Sequence, residues 1–132
     1  MQPPRVFTLD EANALLPRVR ELMGRLQAAK RELDSLGAEL DTLLGASESN
    51  GHASAGRVLV VREQTAKAAA ALDGLLRQVQ ELGVEVKGIE QGLVDFPSLR
   101  EGRLVYLCWQ AGEDRVMYWH DLDAGFAGRQ PL

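Results

Sequence analysis

From Ala12 onward, apolar residues recur at alternating intervals of three and four: Ala12, Leu15, Val19, Leu22, Leu26, Ala29, Leu33, Leu36, Leu40 and Leu43. That spacing draws a stripe along one side of an α-helix, and at this length it is a heptad seam, the pattern by which helices bury themselves against other helices. A second seam follows at Val58, Val61, Thr65, Ala68, Leu72, Leu75, Val79 and Leu82, after which Gly83 supplies a stop. Two such seams joined by "GASESNGHASAG", a stretch of small and polar residues, cover each other only by running antiparallel. The chain is therefore expected to form a long, coiled-coil-like helical hairpin, with helix one over 8–44, a flexible loop over 45–56 and helix two over 57–82.

The first helix carries its own start signal. In "FTLDEANALLP", Thr8 is placed to cap free amides and Glu11 to reach back from three residues on, with Phe7 where a hydrophobic staple sits. Pro17 removes one backbone hydrogen bond and either kinks helix one or divides it; the unbroken phase of the seam favours a kink. His52, alone in the loop, is read as solvent-exposed.

After Val84 the period changes to that of strands. "VEVKGI" alternates, "GLVDF" is apolar and ends before Pro97, and "RLVYLCW" and "RVMYWHD" flank the turn "QAGED". Three or four short antiparallel strands over 84–121, followed by an ordered tail over 122–132, make the fold class α+β. Centring the last hairpin on Gly112 and Glu113 pairs Trp109 with Val116, Cys108 with Met117, Leu107 with Tyr118 and Val105 with His120. In that register Leu104, Tyr106, Cys108, Met117 and Trp119 share one face, and Val105, Leu107, Trp109, Val116, Tyr118 and His120 the other. Both faces are largely apolar, so the helices cover one and a second subunit is a candidate cover for the other. Cys108 and His120 then point oppositely, which disfavours a Cys-His pair or a zinc site shared by them, and Cys108 is read as a buried hydrophobe.

The chain has no C-x-x-C, no H-x-x-x-H and no phosphate-cradling glycine loop followed by Lys-Ser/Thr. The closing "WHDLDAG" is its densest cluster of metal-type donors. A neutral imidazole with carboxylates suits a divalent ion, and the candidate ligands are His120, Asp121 and Asp123, with Asp95 or Glu11 brought in by the fold. Against this stands a purely structural reading, in which His120 is hydrogen-bonded, Asp121 and Asp123 organise a turn, and Arg129 forms an ion pair. Gly125 and Gly128 suit a tight path for the tail, with Phe126 as an anchor.

Composition narrows the function classes. A formal charge of −4 across 132 residues disfavours a nucleic-acid partner, because phosphate binding needs a basic face. The lone Cys108 forms no intrachain disulfide, and no apolar run approaches the roughly 20 residues of a membrane span, so the cytoplasm is the expected compartment.

"FTLDEANALLP", "GLVDFP", "VYLCW" and "YWHDLDAGFAGRQPL" together resemble an uncharacterised bacterial and archaeal family, the domain-of-unknown-function 2203 family, over essentially the whole chain. The resemblance places Glu11, Asn13, Asp95, Glu113, His120 and Arg129 among the family's motif positions, and it brings no established catalytic role for any of them. Some members carry a cell-division-like label that rests on their heptads. The favoured expectation is a non-enzymatic interaction or assembly module that self-associates as a homo-oligomer or binds a protein partner, needing no cofactor. The alternative is a metal-binding or metal-dependent hydrolytic protein, with a divalent ion held around the closing motif and an activated water doing the chemistry.

Overall fold

The structure is a computed structural model that describes residues 5–50 and 55–132, without the side chains of 46–50. Helix α1 spans Leu9–Asn50 and helix α2 spans Ala55–Glu81. The expected capping box opens α1: the Thr8 amide donates to Glu11 Oε1 at 2.8 Å, and the Glu11 amide donates to Thr8 Oγ1 at 3.1 Å. The helix passes through Pro17 undivided. It also continues to Asn50, and α2 begins at Ala55, so residues 45–50 and 55–56 are helical where a loop was expected. Alanine and glutamate among them favour helix and serine tolerates it, so the helix outlasts its apolar seam. His52 lies outside the described residues.

The two helices are antiparallel. Arg18 of α1 donates to Gln78 of α2 at 3.3 Å near one end, and Arg57 of α2 pairs with Glu39 of α1 at 2.6 Å near the other. Among the described residues no helix is long and apolar enough to cross a membrane.

Five strands follow: β1 (Glu85–Gly88), β2 (Leu93–Arg100), β3 (Arg103–Gln110), β4 (Tyr118–His120) and β5 (Gln130–Pro131). They form one antiparallel sheet in chain order, so the tail adds a short edge strand to the three or four expected. Between β2 and β3 the turn is two residues long, with Glu101 and Gly102 both at positive φ (54° and 76°), the backbone that matches the twist of a tight hairpin. That turn fixes the β2–β3 register, with Asp95 opposite Cys108.

Strand β2 runs through Pro97 rather than ending before it. The Pro97 carbonyl accepts from the Phe7 amide at 2.7 Å. A residue's N–H and C=O leave a strand on the same side, so the missing N–H faces the N-terminal segment and costs β3 no ladder bond. Ser98 Oγ donates to the Phe7 carbonyl at 2.6 Å and ties the same segment down.

One face of the sheet covers the inner half of the hairpin. Val94, Phe96, Val105, Leu107, Trp109 and Trp119 pack with Leu16, Val19, Leu22, Met23 and Leu26 of α1 and Val79 of α2 into one core. Nothing in α1 beyond Leu26 belongs to that core, so the outer half of the hairpin stands clear of the sheet.

Candidate functional site

The β3–β4 pairing differs from the expected one by a single residue. Tyr106 lies opposite His120, Leu107 opposite Trp119 and Cys108 opposite Tyr118. Because strand side chains alternate, a one-residue slip moves all of β4 to the other face. Trp119 therefore joins Leu107 and Trp109 in the core, while Tyr118 and His120 join Tyr106, Cys108 and Asp95 on the outer face. The expectation that Cys108 and His120 point oppositely is overturned.

The backbone of 110–117 explains the slip. Glu113 turns back on β3: its amide donates to the Gln110 carbonyl at 3.0 Å, and its Oε1 accepts from the Gln110 amide at 2.7 Å. The Trp109 indole donates to the Glu113 carbonyl at 2.9 Å. Val116, expected opposite Trp109, instead donates its amide to Asn13 Oδ1 of α1 at 2.8 Å. The Met117 carbonyl accepts from the Leu132 amide at 2.9 Å. With Val116 and Met117 engaged elsewhere, β4 starts at Tyr118 and the loop holds one more residue than a simple hairpin.

On the outer face, Asp95, Cys108 and His120 come together from three neighbouring strands, and one donor atom from each lies within 4.8 Å of the others. All three are buried, at 2%, 0% and 2% exposure. The Tyr106 ring lies tilted against the imidazole, with centroids 5.5 Å apart, and Lys87 Nζ sits 4.7 Å above Tyr106. Arg129 in the tail makes two 2.7 Å bonds to Glu113, with its guanidinium 3.9 Å above the Tyr118 ring and 4.7 Å from Phe126.

The hydrogen-bond partners set the protonation of the histidine. His120 Nδ1 lies 2.7 Å from the Asp121 carbonyl, which only accepts, so Nδ1 carries a proton and Nε2 faces Asp95 Oδ1 at 3.0 Å. One proton is shared across that second contact. Burial pushes the Asp95 carboxyl above its ordinary range, and the His120 bond and charge oppose the shift. Burial, and then the nearby Asp95 charge, push the Cys108 thiol up to about 12, so at neutral pH it is a thiol and no nucleophile.

Of the other candidate ligands, Glu11 is exposed and occupied by the capping box. Asp121 turns its carboxylate to Arg103 at 2.7 Å and offers the trio only its carbonyl. Asp123 is exposed in the tail. Among the motif residues, Asn13 positions the β4 loop, and Glu113 with Arg129 clamps the tail. The residue missed as a partner was Cys108. A usable signal was present in the strands themselves: only the observed register puts Val105, Leu107, Trp109 and Trp119 on one face and Tyr106, Cys108, Tyr118 and His120 on the other.

A family model described as "Uncharacterized conserved protein (DUF2203)" matches residues 5–132. The chain belongs to this family. Comparison with curated proteins and with solved structures gives no match. The DUF2203 match spans the hairpin, the sheet and the tail alike, so the trio and the Arg129 clamp both fall within the family domain.

Proposed function

We propose that this chain is a non-enzymatic assembly module that pairs with a second copy of itself through the outer half of its helical hairpin. One contrast within a single seam carries the reading. Under the sheet, Val19, Leu22 and Leu26 are each 0% exposed. Farther along α1, Leu33, Leu36, Leu40 and Leu43 keep the same heptad phase and are only half-buried; on α2 the seam residues Val58 and Val61 are buried, but beside them Leu59 is 68% and Val60 45% exposed. Two helices shield one side of each other, and a seam of this kind closes only when further helices cover its flanks.

The charges favour a second copy as that cover. The outer half of α1 carries Glu32, Asp34, Glu39, Asp41 and Glu48 against Lys30 and Arg31, whereas the outer half of α2 carries Arg57, Arg62 and Lys67 against Glu63. A two-fold arrangement that sets each α1 beside the partner's α2 meets opposite charge. The protonated thiol supports a non-enzymatic role, as does a surface cleft lined by Leu9, Asn13, Tyr118 and Leu132 among others and by none of the trio. A lone free cysteine suits the cytoplasm. Sedimentation equilibrium tests the proposal: the native chain should run above its monomer mass of 14.5 kDa, and Leu59→Glu with Val60→Glu should return it to that mass. A native chain that stays monomeric at every accessible concentration contradicts it.

A second reading, a metal-binding protein, is favoured by the orientation of His120, whose Nδ1–H is held by a backbone carbonyl so that Nε2 faces a carboxylate. Elemental analysis of untagged protein tests it, with a near-equimolar divalent ion as the expected result.

A further inference from the structure

We infer that Asp95, Cys108 and His120 form a site for one divalent ion of the zinc class, joining β2, β3 and β4. The inference rests on the metal-binding reading and goes beyond it in naming the ligands and the ion. The donor atoms already lie within 4.8 Å of one another, and Asp95 Oδ1 to His120 Nε2 is 3.0 Å. Zinc–ligand bonds of about 2.0–2.3 Å set tetrahedral donors roughly 3.3–3.8 Å apart, so small side-chain rotations suffice. The Asp121 carbonyl supplies the outer partner that orients a metal-binding imidazole.

The donor set selects the ion. Calcium and magnesium take oxygen ligands alone, whereas sulfur, nitrogen and carboxylate oxygen together suit a borderline-soft ion such as Zn²⁺ or Co²⁺. Charge balance points the same way. A thiol, an imidazole and a carboxyl that shares its proton with the imidazole are neutral together. One divalent ion displacing the thiol proton and the shared proton leaves the buried trio neutral again. A monovalent ion bound by all three donors, with both protons displaced, leaves a net buried charge. Three protein donors fill three tetrahedral positions and leave the fourth to water or a small ligand.

The test uses the full chain stripped of metal with a chelator and titrated with Co²⁺. Cys108 is its one cysteine, so a thiolate-to-cobalt charge-transfer band reports that residue directly, without any variant. The expected result is one Co²⁺ per chain with that band, displaced by Zn²⁺ and unaffected by excess Mg²⁺. His120→Gln should weaken binding by more than roughly 100-fold, beyond the loss of an outer partner. Stoichiometric Co²⁺ without the thiolate band overturns the ligand set and leaves the metal-binding reading standing. No bound Co²⁺ or Zn²⁺ at micromolar concentrations overturns both.

Discussion

His120 Nε2 lies 3.0 Å from Asp95 Oδ1, with the two side chains only 2% and 3% exposed. A buried pair of this kind is costly to break from one side, because the remaining partner loses its hydrogen bond without regaining water. In metal-free protein His120→Ala should lower stability by about 3 kcal/mol. Asp95→Asn should cost clearly less, because its amide still donates to Nε2 when Nδ1 holds the imidazole proton. Urea unfolding of both variants checks the order; equal losses contradict the shared-proton geometry.

Cys108 gives the fold a dependence on high pH. Its folded pKa, raised to about 12, lies above its ordinary value of 9.0, so the thiol's contribution is fully present below about pH 9. It is then lost as pH rises through the folded value. The native chain should lose stability between pH 9 and 11 more steeply than Cys108→Ala, measured as the urea midpoint. The folded thiol should also resist alkylation at pH 8 and react fully in denaturant.

Arg129 joins the tail to the β4 loop with two 2.7 Å bonds to Glu113 while lying over Tyr118 and Phe126. Both bonds come from the one Nη2, so lysine keeps the ion pair but lacks the flat guanidinium face that lies over the two rings. Arg129→Lys should cost about 2 kcal/mol and speed amide exchange across 126–132, with exchange in the helices unchanged. Exchange that rises equally everywhere contradicts a local clamp.

The helices were legible because their signals are local: a seam of fixed period, a capping box at Thr8 and Glu11, and a stop at Gly83. Strand β2 was read only as far as Phe96, because Pro97 signals a strand end and only the tertiary contact with Phe7 lets the strand run on. The β3–β4 register was not legible, because it depends on Asn13, distant in sequence, taking the Val116 amide, and on Leu132 taking the Met117 carbonyl. A loop's parity is set by such long-range bonds, and parity decides every side chain on β4. Reading His120 from the closing motif, with Asp95 as a ligand brought in by the fold, named two members of the outer-face trio. Cys108 was set apart from them by that one-residue error, and Glu11 was drawn in although its capping box already accounted for it.

Pulsed dipolar spectroscopy reads pairing through the outer half of the hairpin directly. Gln64→Cys puts one spin label on the exposed outer half of α2, and the buried Cys108 leaves that label alone on each chain. Any dipolar coupling then arises between copies. A defined inter-copy distance is expected, and it should disappear when Leu59→Glu and Val60→Glu are added. A signal with no coupling at any accessible concentration, or one unchanged by those two substitutions, contradicts pairing through the outer half of the hairpin.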